Sequence, residues 1–513
     1  MLAKTGLLVV SNPTQIGKIL PSIQKRVKNT LYIQLLSALS EPFGNFYTNV
    51  FTSWPKYSKT LYGIYSQAAT HCENLDVRVL LSGLKYQTVS QIQTKSNIDL
   101  IIFDRIHSKT DIDNFIKTKV ANIASEYNVV TLDSAGDRIE DFICDDDESI
   151  YNHTVLGGTF DRLHTAHKLL LTEAALRSRR KVTVGVTEES MLPGKILWEL
   201  IENLDVRIQN VENFLNDICA ELDYNVVPIS DPFGPSITDP TMEMIVVSEE
   251  TVKGSQKINE IRLEKQLNPL DVHSVKLIDE PYPNLNEERK ISSSTGRIRL
   301  LGTLLRPVAK KNIPNKPYVI GLTGGVASGK SGVANWLIQH EAEIINCDLI
   351  GHEVYKSGRP CHTKIVDCFG DSVLTPEGEV DRKVLGSIVF SDSSALKKLN
   401  GLVWPAIADE VQKMITNSKN PVVVVEAAVL LTAGWQSFCH EVWSTLVPRS
   451  EAIKRLMARN KLTEEQAIAR INSQPSNKAY VQEAHVVLCP LWDVEFTGMQ
   501  VKKAWDLLQD RLL

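Results

Sequence analysis

The sequence contains no CxxC pair. Its eight cysteines are scattered, the closest two being Cys361 and Cys368. That argues against a disulfide framework or a zinc ribbon and leaves buried or idle thiols suited to a reducing compartment. No apolar run approaches the roughly 20 residues a membrane span needs. No strong charge imbalance exists either: 56 Lys and Arg against 61 Asp and Glu give −5. No global field therefore draws the chain to nucleic acid or a membrane surface. There is no HExxH pattern and no repeat of fixed period. What is present is an ordinary globular composition, 43% apolar and 23% charged over 513 residues, enough for two to four domains.

Acidic residues are missing from the first 40 positions, which carry Lys4, Lys18, Lys25, Arg26 and Lys28 before Glu41. One reading is a mitochondrial targeting segment. The other makes "GLLVV" and "TLYIQLL" two strands with a helix between. A cytoplasmic location is expected, with the mitochondrion as the alternative.

Three regions separate. Residues 1–150 hold strand-like runs "LDVRVLLSGL", "IDLIIFD" and "NVVTLDS", a weak α/β pattern without a Gly-rich turn. They end in the acidic "IEDFICDDDES", read as a solvated linker. Residues 151–306 alternate strand runs ("HTVLGG", "KVTVGV", "NVVPIS", "EMIVVS", "SVKLID") with helical stretches over 204–222 and 255–267. Such alternation predicts a doubly wound parallel sheet. "RPVAKKNIPNKP" at 306–317 holds three prolines and four cations and reads as a linker. Residues 318–513 form a second α/β unit with strands "YVIGLT", "AEIIN", "PVVVVEA", "EVWSTLV" and "HVVLC".

"GGVASGKS" follows a strand and opens a helix, and it fits G-x-x-x-x-G-K-[ST]. The backbone from Gly324, Gly325, Val326, Ala327 and Ser328 to Gly329 would cradle phosphates. Lys330 would reach the β- and γ-phosphates of ATP, and the Ser331 hydroxyl would ligate Mg²⁺. Asp348 closes the next strand, at the end that faces the crevice of an open parallel sheet. It is a candidate base for a hydroxyl nucleophile, or else a helix N-cap. Arg455, Arg459 and Arg470 lie on helical segments; they suit a lid over transferring phosphate, or an exposed, salt-bridged hairpin.

Together "GLTGGVASGKS", "CDLIGHEVY", "GEVDRKVLGSIVFSD", "LNGLVWPAI" and "RLMARNKLTEEQAIARINSQ" resemble the dephospho-coenzyme A kinases over nearly all of the third region. The resemblance implies that Asp348 acts at the ribose 3′-hydroxyl and that Arg455 and Arg459 belong to a lid. The family's Asp-Ala-Asp is Asn346-Cys347-Asp348 here, its acidic residue after the "LL" run is Thr432, and its His before Pro is Trp404.

"LGGTFDRLHTAHKLLL" poses a separate question, because Asp161, His164 and His167 stand at three-residue intervals like metal ligands on a helix face. Gly157 and Gly158 before them read instead as a phosphate loop, with Thr159 and Phe160 at the crevice and the helix starting near His164. Imidazoles at a helix N-terminus suit anionic oxygen. The string resembles the T/HxGH motif of nucleotidylyltransferases, with Ala166 in place of the usual Gly. "ISSSTGR" adds the superfamily's second signature, in which Ser292, Ser293 and Ser294 offer hydroxyl and N–H donors and Arg297 a cation. "DPFGPSITDP" and "VVSEETVKGSQKINEIRLEKQL" extend the likeness to eukaryotic phosphopantetheine adenylyltransferases. The whole chain resembles the bifunctional coenzyme A synthase family.

That resemblance implies two ATP-dependent steps with Mg²⁺, and the small-molecule substrates 4′-phosphopantetheine and dephospho-coenzyme A. Thr159 and Lys195 would position the reacting phosphates, and His164, His167, Ser293, Ser294 and Arg297 would hold ATP. His167 and Lys195 are the catalytic candidates of the first step; Lys330, Asp348 and Arg459 are those of the second. Nicotinate- or choline-type nucleotidylyltransferases and a catalytically dead scaffold are the rival readings. Neither a role nor a protein partner is assigned to residues 1–150.

Overall fold

The structure is a computed structural model that describes residues 2–36, 43, 54–133 and 151–512. The described strands form three five-stranded sheets, and every pairing within them is parallel. The first sheet holds β1 (Ala3–Val10), β2 (Val27–Leu35), β3 (Asp76–Val79), β4 (Ile98–Phe103) and β5 (Ile123–Thr131), in the order β3-β2-β1-β4-β5. The second holds β6 (Tyr151–Gly158), β7 (Ser178–Thr187), β8 (Asp223–Ile229), β9 (Met244–Ser248) and β10 (Asp271–Val275), in the order β10-β9-β6-β7-β8. Read from its other edge this is the order of the first sheet. The sequence hides that recurrence because it is one of topology, not of residues.

The third sheet holds β11 (Tyr318–Gly324), β12 (Glu343–Asn346), β13 (Val422–Glu426), β14 (Glu441–Thr445) and β15 (Val486–Leu488), in the order β12-β13-β11-β14-β15. Strands buried on both faces read as continuous apolar runs, which is why "PVVVVEA" was legible. Val423 and Val425 enter one core with Val319, while Val422 and Val424 enter another with Ile320 and Trp443. Between β12 and β13 the helices Pro360–Phe369, Arg382–Ser391 and Ser393–Asn417 help build a small core of their own around Ile365, Val373, Leu385 and Val389.

The chain divides into two compact units, residues 1–296 and 297–513. The first contains the first two sheets, and one apolar core runs from Leu8, Ile64 and Tyr65 to Leu156, Phe160 and Leu169. The basic N-terminal stretch is β1, the helix Ile16–Gln24 and β2, so the second of its two readings describes its structure. "LDVRVLLSGL" is shorter as a strand than expected. The Leu81 N–H leaves the ladder for the Ile218 carbonyl (2.8 Å), and Ser82–Lys85 turns into a short helix. The acidic run at 139–149 lies outside the described residues. Residues 306–317 form no strand or helix, yet they are held down: Arg306 Nε donates to the Ala484 carbonyl (2.9 Å), and Lys311 Nζ to those of Gln436 and Cys439 (2.7 and 2.6 Å). Among the described residues no helix is long and apolar enough to cross a membrane.

In an open parallel sheet the crevice forms where the strand order reverses, beyond the strands' carboxyl ends. In the first sheet that place lies at β1 and β4. Asp104 Oδ2 accepts from the Ser11 and Asn12 N–H groups (2.7 and 3.0 Å). At β6 and β9, and again at β11, it is where the Gly loops stand.

Candidate nucleotide sites

β6 delivers Gly157 and Gly158 beside Gly185 and Val186 of β7. A Cβ on Gly158 would stand 3.1 Å from the Phe160 ring, so the glycine lets that ring fold under the loop. Phe160 (φ 50°) and Arg162 (φ 44°) both take left-handed backbone, costly for residues with a side chain. Their neighbours hold them there. Phe160 is fully buried. Asp161, 1% exposed, accepts from the Glu202 N–H (3.1 Å) and pairs with Arg162 (2.9 Å). Its carboxylate therefore shapes the loop. Among the described residues no group of three His, Cys, Asp or Glu could hold a metal ion.

His164 caps the helix Thr165–Arg177, its Nδ1 accepting from the His167 N–H (3.4 Å). The two imidazoles stack at 3.7 Å. Ser293 Oγ lies 3.3 Å from His164 Nε2, which joins the "ISSSTGR" segment to the loop. Both border a cavity of about 480 Å³ lined by Gly157, Gly158, Phe160, Ala166, Ser292 and the apolar exit of β9. Ser292 caps the helix Ser293–Leu300, its Oγ accepting from the Thr295 N–H (3.2 Å) and donating to Glu288 (3.0 Å). Ser294 is half-buried and Arg297 buried on that helix. The Thr159 hydroxyl lies 3.3 Å from that of Thr187. Lys195 is exposed in the turn after β7 and does not line the cavity.

Two cations escaped the sequence reading. Arg207, 1% exposed, donates to the carbonyls of Thr159 (2.7 Å), Thr187 (2.9 Å) and Glu202 (2.9 Å), tying the phosphate loop to β7. Burial pulls its pKa down, against the attraction of Asp161 and Glu202. Lys290 lines the cavity beside Glu250 and Glu288. Burial opposes its charge, but the two carboxylates outweigh it and raise its pKa.

In the third sheet, Gly324 (φ 140°) admits a close crossing with β14: a Cβ there would stand 2.2 Å from the Thr445 carbonyl oxygen. Ser328 Oγ bonds Thr445 Oγ1 (2.6 Å). Val326 N–H donates to Gln474 (2.7 Å). Gly329 (φ 92°) begins the helix Lys330–Gln339. Lys330 Nζ folds back on the Gly324 and Gly325 carbonyls (2.9 and 3.1 Å), the posture of a phosphate lysine over its own loop. Burial lowers its pKa, while Asp348 and Glu426 oppose that shift.

Ser331 Oγ donates to Glu426 Oε1 (2.9 Å), and Asn346 Nδ2 to Glu426 Oε2 (3.0 Å). The register places Asn346, Glu426 and Leu322 in one row. Glu426 was not singled out from the sequence, although it ends an all-valine strand at the crevice. Asn346 caps the helix Cys347–Glu353, accepting from the Asp348 N–H (3.0 Å). The N-cap alternative for Asp348 thus falls to its neighbour, and the Asp348 carboxylate is exposed. Arg455 grips the loop itself, donating to Pro490 O (2.6 Å), to Ala327 O (3.5 Å) and to Glu451 (2.7 Å). Arg459 and Arg470 are exposed. Thr432 Oγ1 donates to the Val429 carbonyl (3.0 Å), and Trp404 packs half-buried against a core.

A family model described as dephospho-CoA kinase matches residues 318–490, and one described as cytidylyltransferase-like matches residues 155–299. The dephospho-CoA kinase of Moorella thermoacetica is 40% identical over 199 residues, which cover 38% of this chain and 94% of that protein. The chain belongs to the dephospho-CoA kinase family. The enzyme of that name from Carboxydothermus hydrogenoformans is 38% identical over 186 residues, 36% of this chain and 90% of that one. A solved dephospho-CoA kinase from Campylobacter jejuni is 25% identical, covering 38% of this chain and 98% of its own, with a TM-score of 0.31. The dephospho-CoA kinase domain shares its chain with a nucleotidyltransferase-type domain, and both place the enzyme in coenzyme A biosynthesis.

Proposed function

We propose that one chain performs two consecutive reactions. ATP and 4′-phosphopantetheine give dephospho-coenzyme A and diphosphate; ATP and dephospho-coenzyme A then give coenzyme A and ADP. The observation that carries this reading is the pairing of a kinase-family loop around Lys330 with a second phosphate loop bearing stacked His164 and His167.

In the first reaction a phosphate oxygen of 4′-phosphopantetheine attacks the α-phosphorus of ATP, and diphosphate leaves. A phosphomonoester has a second pKa near ~6 and is already an anion at neutral pH. No general base is needed; the site has to align two anions and offset their repulsion. His164, His167, Ser293, Ser294 and Arg297 hold the ATP phosphates, Gly157, Gly158, Phe160 and Ser292 shape their seat, and Thr159 and Lys195 orient the reacting groups. Lys195 must swing from its exposed turn to do so.

In the second reaction the neutral 3′-hydroxyl attacks the γ-phosphorus, and a base is useful. Asp348 takes the proton, Lys330 neutralises the phosphates, and Arg459 closes over them. Ser331, Glu426 and Asn346 group hard oxygen donors at the loop. That suits Mg²⁺, which keeps few protein ligands and shares the rest with phosphate; Ser331 would bind it directly, and it would supply charge neutralisation.

Paired variants test the two-site reading. Lys330→Ala is expected to stop the second reaction and let dephospho-coenzyme A accumulate. His167→Ala is expected to stop the first while added dephospho-coenzyme A is still phosphorylated. Loss of both activities in either folded variant contradicts two independent sites.

A further inference from the structure

The helix Thr165–Arg177, which carries His167 and is capped by His164, is buried at every position from Lys168 onward except Leu170. Part of that burial is polar, and the N-terminal region supplies the partners. Asp76 of β3 accepts from Lys168 Nζ (2.5 Å). The Thr172 hydroxyl donates to the Lys168 carbonyl (2.6 Å), so the Tyr65 hydroxyl must be the donor in its 3.0 Å contact with Thr172. At the far end Lys85, 2% exposed, donates to the carbonyls of Ala175 and Ser178 (2.5 Å to the latter). Directional bonds to buried groups fix an element where apolar contact alone would let it slide. The first of them holds the residue next to His167, in the turn from which both imidazoles project.

We infer that residues 54–85 position His164 and His167 for ATP, with Asp76, Tyr65 and Lys85 acting as positioning residues through the helix Thr165–Arg177. The inference rests on the adenylylation reading above. It gives the N-terminal region a part in the first reaction. The Ser11 and Asn12 N–H groups at its own crevice are taken by Asp104, so it offers those donors to no phosphate.

The test is steady-state kinetics of dephospho-coenzyme A formation by the full chain carrying Asp76→Asn or Tyr65→Phe. KM for ATP is expected to rise several-fold. KM for 4′-phosphopantetheine and the rate of dephospho-coenzyme A phosphorylation stay at wild-type values, and Asp76→Glu restores part of the loss. A purely structural role lowers the folded fraction, and with it kcat, at unchanged KM. That result in an active enzyme overturns the inference alone. Tyr65→Phe keeps the ring and decides the matter if Asp76→Asn does not fold. Wild-type protein that forms no dephospho-coenzyme A overturns the adenylylation reading and the inference together.

Discussion

Lys85 and Lys330 are both lysines that burial discharges early, and they sit at opposite ends of what a sequence reveals. Lys330 stands in a spacing that announces its chemistry. Lys85 follows "LLSGL" with nothing to mark it, yet burial pushes its ammonium down to about 8. In the unfolded chain it titrates near ~10.4. Between those values the unfolded state holds the extra proton, so this group's contribution to stability rises with pH across that window. It is least favourable below about 8, and the whole difference is roughly 3 kcal/mol. Urea denaturation of wild type and Lys85→Met, followed from about pH 7.5 to about pH 10, is expected to show wild type gaining stability relative to the variant. Parallel curves would contradict a buried, charged Lys85. Arg207, Glu426 and Gln474 were equally silent in the sequence. Each acquires its role from a neighbour distant in the chain: Thr159 for Arg207, Ser331 for Glu426, Val326 for Gln474.

At the scale of elements, both Gly loops were legible because their chemistry is local. A strand, a turn that needs glycine and a helix start follow one another within a dozen residues. Gly324 shows how tightly such a loop is cut. Its φ of 140° and the Thr445 carbonyl 2.2 Å from an added Cβ leave no room for a methyl group. Gly324→Ala is expected to cost the second unit at least ~2 kcal/mol and to abolish dephospho-coenzyme A phosphorylation. Gly332→Ala, in the helix Lys330–Gln339 with nothing within 4 Å of its Cβ, is expected to gain a few tenths to about 1 kcal/mol. Denaturation midpoints of the two variants check this, and equal shifts would contradict the geometry. The lid reading fared differently along one helix. Arg455 and Arg459 share a face by spacing, but Arg455 is taken up by the Pro490 and Ala327 carbonyls and by Glu451 while Arg459 remains exposed. The helix Thr165–Arg177 misleads in the same way. Lys168, Thr172, Glu173 and Arg177 are polar residues of a kind usually left to solvent, and all are buried.

For the whole molecule, alternation of apolar runs and helices was enough to predict parallel sheets, since a parallel strand needs a crossover and both faces covered. It was not enough to show that the first sheet repeats the strand order of the second. Nor did it show that the two share one apolar core, because strand order is a property of long-range pairing. That shared core is the ground on which residues 54–85 are inferred to position His164 and His167. The central claim, two linked reactions on one chain, meets its most direct test in a time course. The purified protein is given 4′-phosphopantetheine, ATP and Mg²⁺, and the products are separated by chromatography. Dephospho-coenzyme A that appears first and gives way to coenzyme A, with diphosphate and ADP formed in step, is the predicted result. Neither dephospho-coenzyme A nor coenzyme A appearing would contradict the account.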